Sequence, residues 1–242
     1  MPKSFKICAV RHFNDSSISL EGFSLKPQYN LTSVPETPQT TICKSRDPID
    51  FEDFRTYTIE HEHEVSMYGR VNQVRFARFI RRGIISAYQS SARSLMLLSG
   101  KKDDILDFCK TTASLGEIKL AVLQIDMKAL LAKLAEVKLV WFNFPGGMIR
   151  ASALMGDHLE TTADFERARS QGEISTLSFY VESKEDIHHP VMVTSDGTVV
   201  LQDLYRSIAD EVELVLNVKK ELLDGTYREE EIGPRTRRRH PH

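Results

Sequence analysis

The predicted fold depends on the stretch GRVNQVRFARFIRRG, residues 69–83, because its pattern fits either a strand or a helix. As a strand, it places arginines among apolar residues on both faces, which suits a half-buried strand poorly. As a helix, it separates three apolar residues from three arginines at spacings of three and four. The apolar residues are Phe76, Phe79 and Ile80, and the arginines are Arg75, Arg78 and Arg82. We therefore expect a short amphipathic helix that ends at Gly83.

The segments around this stretch alternate between polar and apolar residues, as strands do. Residues 54–64 (FRTYTIEHEHE) predict a strand before it, and GIISAYQSS and SLMLLSG within residues 83–100 predict a hairpin or meander after it. Residues 4–13 predict a first strand. Residues 24–50 contain four prolines and many small polar residues, which indicates a long loop.

The rest of the chain mixes helical and extended patterns in irregular order. Helices are predicted over residues 101–116, 127–136, 161–172 and 204–225. Asp126 is positioned to cap the helix over 127–136, and a threonine is positioned to cap the helix over 161–172. Strands are predicted over 117–124, 137–144, 147–155 and 174–183, and a hairpin turns at Asp196-Gly197.

These elements predict an α+β fold, with a mixed, mostly antiparallel sheet, flanking helices and a long C-terminal helix. We expect a single domain over residues 1–225, with a sub-boundary permitted near 100–116. The polar end of the chain, residues 226–242, contains TRRR and predicts a disordered basic tail.

The arginines of residues 69–83 belong to a longer basic tract. No Asp or Glu occurs between Val65 and Lys102, although the whole chain has a net charge of -2. The positive charge is therefore local, as a phosphate-binding surface requires. The predicted nucleic-acid-binding residues are Arg70, Arg75, Arg78, Arg81, Arg82 and Arg93.

Arginine suits phosphate because its planar guanidinium donates two hydrogen bonds at once. Two other partners fit the same tract. The arginines can pair with the acidic C-terminal helix, in the same chain or in a second copy, or they can bind a small anion. The sequence thus leaves open a nucleic acid, DNA or RNA, and a non-enzymatic protein-interaction or oligomeric role.

The motif EHEHE, residues 60–64, suggests a metal site. On a strand, His61 and His63 share one face and the glutamates share the other. A third ligand is then needed from elsewhere in the chain, and the candidates are Asp157, His158, His188 and His189. This pair of histidines carries the alternative hypothesis of a metal-dependent nuclease or hydrolase, although alternating charge also protects an exposed sheet edge.

No further chemical signature is present. The chain lacks HExxH, a Cys/His grid and a nucleophile elbow, and FPGG at 144–147 is followed by no GK[ST]. The sequence therefore predicts no cofactor and favours a protein without enzymatic activity. Three widely spaced cysteines, no leader and no long apolar run predict a soluble cytoplasmic protein with no membrane partner.

Three segments resemble poorly characterised phage and prophage proteins in the order of their elements. These segments are SAYQSSARSLMLLSG, DMKALLAKLAEVKLVWFNFPGG and GDHLETTADFERARSQGEISTLSFYVE. The resemblance is to a family of unknown function and, more remotely, to the lambda exclusion sensor protein, and it covers residues 70–182. It implies an exclusion or phage-defence component, with DNA binding in the lambda case, and it assigns no site residue.

Overall fold

A computed structural model describes most of the chain. The described residues are 2–15, 18, 23–25, 38–71, 74–113, 118–146, 149–182, 187–203 and 205–231, with side chains except at 23–25 and 66–79. Within these ranges, no helix combines the length and the apolar character needed to cross a membrane.

Antiparallel strands dominate the described residues. The strands are β1 (Lys3–Phe13), β2 (Phe23–Leu25), β3 (Thr40–Lys44), β4 (Phe54–Val71), β5 (Val74–Ser90), β6 (Leu95–Ser99), β7 (Ile118–Ile125), β8 (Leu139–Asn143), β9 (Ala151–Met155), β10 (Glu173–Glu182), β11 (His188–Thr194), β12 (Thr198–Leu201) and β13 (Tyr227–Glu231). The helices are α1 (Lys102–Ala113), α2 (Met127–Leu131), α3 (Ala163–Gln171) and α4 (Ile208–Val218). The α+β class with a mostly antiparallel sheet is therefore confirmed.

The chain divides into two compact units. The first comprises residues 1–7 and 122–230, and the second comprises residues 8–121 and 231–242. Strands β1, β7 and β13 each contribute residues to both units. The prediction of one domain over residues 1–225 stays a prediction.

In the second unit, the strand order is β2-β3-β4-β5-β6-β1. The ladders β2–β3, β3–β4, β4–β5 and β5–β6 are antiparallel. Its buried side chains include Tyr57, Ile59, Ile85 and Leu97 from the sheet and Phe108 from α1. Apolar burial of this kind is the main favourable term in folding, and it fixes α1 close to β4 and β5.

In the first unit, the order is β1-β12-β11-β10-β8-β9. The β11–β12 hairpin turns at Asp196-Gly197, as predicted, and Gly197 has a φ of 76°. Thr162 caps α3 by accepting from the Phe165 backbone N–H, so the predicted threonine cap is also confirmed. Trp141 is 44% exposed on β8.

The predicted helix over RFARFIRRG is wrong, because these residues lie in β5 and pair with β4. The sequence disfavours a strand here because both faces would mix arginines with apolar residues. That objection holds only for a strand with one face against the core. From residue 65 to 79, the described ladder partners of β4 and β5 are each other, so pairing between the two strands, and not the pattern of either face, sets the extended conformation.

Other element boundaries also differ from the sequence prediction. Helix α2 ends at Leu131, and α4 begins only at Ile208 because Ser207 forms a capping box with Asp210. A π-helical stretch, Lys219–Leu223, follows α4. Strand β3 lies inside the predicted loop 24–50, and β13 occupies the start of the predicted tail 226–242, whose residues 232–242 lie outside the described part.

Candidate functional site: the arginine ribbon and the histidine cluster

The β4–β5 hairpin extends beyond its neighbours in the sheet. Strand β3 pairs with β4 over Tyr57–His61, and β6 pairs with β5 over Ser86–Ser90. Beyond these ladders, residues 65–71 and 74–79 form what we call the ribbon. Among the described residues, the ribbon is a two-stranded ladder with a register shift between Ser66 and Gly69.

The ribbon contains three of the six predicted arginines. Arg70 is the register partner of Arg75, and Arg78 is the partner of Ser66. The side chains at these positions lie outside the described part, so their contacts are not assigned. The backbone register places three arginines and no acidic residue in the ribbon.

The other three predicted arginines form ion pairs with nearby acidic residues. Arg81 pairs with Asp104, and Arg82 pairs with Glu60. Arg93 pairs with Glu52 and donates to Asp53 Oδ1 at 2.7 Å. These partners come from α1, β4 and the segment before β4, and not from the acidic helix α4 that the sequence suggested as an intrachain partner.

His61 and His63 share one side of β4, as the alternation predicted. They are 1% and 6% exposed, whereas Glu60, Glu62 and Glu64 are half-buried. Their rings stack with centroids 5.7 Å apart and planes 16° apart. Helix α1 covers them, and the Phe108 ring contacts His61 edge-on at 5.8 Å.

Helix α1 brings two aspartates, one turn apart, to the histidines. Asp107 Oδ2 lies 3.1 Å from His61 Nε2, and Asp104 Oδ1 lies 3.6 Å from His63 Nε2. The Asp104 side chain fits because residue 83 is glycine. A Cβ at Gly83 would lie 2.4 Å from Asp104 Oδ2, which is far inside van der Waals contact.

One ligand-capable atom from each of His61, His63 and Asp107 lies within 4.8 Å of the others. Thr40 Oγ1 contacts His61 Nδ1 at 2.8 Å on the opposite side of the ring. His63 Nδ1 is buried and has no hydrogen-bond partner. We call His61, His63 and Asp107 the histidine cluster.

Burial lowers the pKa of His63, because a charged imidazolium is costly away from water. The nearby His61 and Arg81 lower it further, while the carboxylates of Asp107 and Asp104 oppose the shift. The net effect favours the neutral imidazole, which is the form that binds metal ions.

The four candidate third ligands from the sequence lie elsewhere. Asp157 accepts from Lys138 at 2.7 Å, His158 is largely exposed, and His188 and His189 lie in β11. All four belong to the first unit, whereas the histidine cluster belongs to the second. The carboxylates that do lie beside His61 and His63 are Asp107 and Asp104. Their spacing of three residues in a predicted helix was the only signal in the sequence, because residues three apart are adjacent on a helix surface.

No model of a known protein family matches this sequence. A search of curated proteins also finds no significant match. The resemblance to phage and prophage proteins therefore stays a prediction.

Proposed function

We propose that the protein binds double-stranded DNA by inserting the ribbon into the major groove. The observation that carries the proposal is a two-stranded ladder with three arginines and no acidic residue. Binding by this segment is electrostatic and local, because the chain as a whole has a net charge of -2.

The pairing of the arginines with acidic residues changes along the β4–β5 hairpin. At its base, Glu62 is in register with Arg82, and Arg81 and Arg82 pair with acidic side chains. Toward the turn, the arginines at 70, 75 and 78 have no acidic register partner. We infer that the basal arginines stabilise the fold and that the ribbon arginines contact phosphate.

The dimensions of the ribbon suit a B-form groove. Its strands of six to seven residues span about 20 Å at about 3.3 Å per residue. The major groove of B-DNA is about 12 Å wide and admits a two-stranded ribbon, whereas the deep, narrow major groove of A-form RNA does not. The irregular register near Ser66 also favours a stronger local twist, which helps a ribbon to follow a groove.

The register of Arg70 and Arg75 gives a further reason to expect an anion. Like charges at directly opposed positions of an antiparallel pair are destabilising. A phosphate between two such residues removes this repulsion and accepts a bidentate hydrogen bond from each guanidinium. DNA binding is therefore expected to stabilise the ribbon as well as to use it.

The test is a fluorescence-anisotropy titration of duplex DNA at several salt concentrations. In the triple variant Arg70→Ala, Arg75→Ala and Arg78→Ala, the slope of log K against log salt should shrink by about 2–3, because each lost phosphate contact removes about 0.9. The matched control is Arg93→Ala, which removes an arginine that pairs with Glu52 and Asp53 and should leave the slope unchanged.

Duplex RNA and single-stranded DNA are measured alongside as competitors. Equal affinity for all three would contradict insertion into a B-form major groove. An unchanged slope in the triple variant, or no binding of wild-type protein at low salt, would remove the ribbon as a DNA-binding element.

A further inference from the structure

The histidine cluster is more completely buried than an ordinary surface ion pair. His61 and His63 are at least nine-tenths buried, and the side chain of Asp107 is 15% exposed. Buried polar atoms are nearly always paired, because an unpaired group forfeits its hydrogen bonds to water. His63 Nδ1 has no such partner, so the described side chains leave this atom unsatisfied.

Contacts with Thr40 and Asp104 engage one nitrogen of each imidazole and leave the other nitrogen as a candidate ligand atom. Thr40 contacts Nδ1 of His61, which leaves Nε2 of that ring toward Asp107. Asp104 faces Nε2 of His63, which leaves Nδ1 as the available ligand atom. A histidine that binds metal through one nitrogen commonly has its other nitrogen fixed by a hydroxyl, carboxylate or carbonyl in this way.

We propose that His61, His63 and Asp107 hold a divalent transition-metal ion, with Zn²⁺ as the expected occupant. Two imidazoles and one carboxylate form a common ligand set for Zn²⁺. Ligands about 2.0–2.2 Å from one ion in tetrahedral geometry lie about 3.3–3.6 Å apart. The present separations, within 4.8 Å, therefore need to close by only about 1 Å.

The ion would connect two elements that are distant in sequence. His61 and His63 lie on β4, directly beside the base of the ribbon, and Asp107 lies on α1. The fourth coordination position is left for water in a mostly buried setting, which restricts access for a large substrate. The first consequence of the ion is thus stability of the α1–β4 contact, and this inference stands independently of DNA binding.

The experiment uses the full chain after treatment with a chelator, titrated with Co²⁺ as a spectroscopic substitute for Zn²⁺ and then with Zn²⁺. We expect about one equivalent of Co²⁺ with visible d–d absorption, displaced by Zn²⁺. A 100-fold excess of Zn²⁺ over its Kd should raise Tm by about 5–10 °C. Wild-type protein that binds much less than one equivalent, with no change in Tm, would overturn the proposal.

Two variants and one control locate the site. His63→Asn and Asp107→Asn should each weaken Co²⁺ binding at least about 10-fold. The control, His158→Asn, should leave Co²⁺ binding unchanged. His158 also lies near two carboxylates, at 3.9 Å from Glu136 and from Glu160, but it is not part of the histidine cluster. If one variant fails to fold by circular dichroism, the other decides, and unchanged binding in a folded variant overturns the assignment.

Discussion

Single residues determine where backbone segments approach closely. Gly197 has a φ of 76°, and a Cβ there would lie 2.3 Å from the carbonyl oxygen of Leu123. Gly225 has a similar φ of 81°, but a Cβ there would meet no atom within 4 Å. The two glycines thus separate the cost of a left-handed backbone from the cost of a steric clash.

We expect Gly197→Ala to be much more destabilising than Gly225→Ala. The change at 225 adds only the left-handed backbone cost, about 1–2 kcal/mol. The change at 197 adds overlap with backbone, which cannot move aside as a flexible side chain can, and should cost at least about 2 kcal/mol more. Urea unfolding of both variants measures the difference, and equal losses would contradict the close approach to Leu123.

At the scale of elements, side chains bind the segment after β1 to strands β3 and β4. Tyr57 Oη and Arg55 donate to the carboxylate of Asp15, and Lys44 lies 3.5 Å from it. Burial by itself raises the pKa of Asp15, but the hydrogen bond from Tyr57 and the charges of Arg55 and Lys44 outweigh it, so the net shift is downward. Asp15 is thus held ionised by three residues from two strands.

Because the pKa of Asp15 is lower in the folded than in the unfolded protein, its contribution to stability is present above the unfolded pKa, about 3.9. It is lost as the pH falls through the lower folded value. Asp15→Asn should therefore cost about 1–2 kcal/mol at pH 7, and the deficit should shrink between about pH 5 and pH 2.

Denaturant unfolding across this pH range, with the exposed Asp50→Asn as the control, tests the prediction for Asp15. The control should change stability by no more than about 0.5 kcal/mol. A deficit of Asp15→Asn that does not vary with pH would show that the carboxylate charge is not what stabilises this contact.

At the scale of the whole molecule, the distribution of charge matters more than its total. The chain has 32 Lys and Arg against 34 Asp and Glu, so general attraction to a polyanion is not expected. In the DNA proposal, the positive charge that binds phosphate is concentrated in the ribbon, whose sequence contains three arginines and no acidic residue. Two variants with identical net charge can therefore distinguish local from global electrostatics.

Arg75→Glu and Arg167→Glu each change the net charge from -2 to -4. Arg167 is an exposed residue of α3, 3.6 Å from Asp164. Only Arg75→Glu is expected to weaken duplex DNA binding, by at least about 10-fold at low salt, because it places a negative charge at the phosphate contact. Equal weakening in both variants would assign the effect to net charge and not to the ribbon.

The sequence by itself determined those features that depend on neighbouring residues. Alternation over residues 54–64 predicted a strand with both histidines on one side, and Asp196-Gly197 predicted a hairpin turn. Thr162 predicted a helix cap. The α+β class followed from the same local patterns. These signals are reliable because backbone conformation, caps and turns are decided within a few residues of the chain.

Only the tertiary structure decided which distant segments meet. Residues 75–82 have a helical pattern, but their pairing with β4 makes them a strand, since hydrogen bonds to another strand override weak local preference. Asp107 is 46 residues from His61, Asp104 is 23 residues from Arg81, and Asp53 is 40 residues from Arg93. No local pattern encodes such contacts, because they depend on how α1 packs against the sheet and on which strands pair within it.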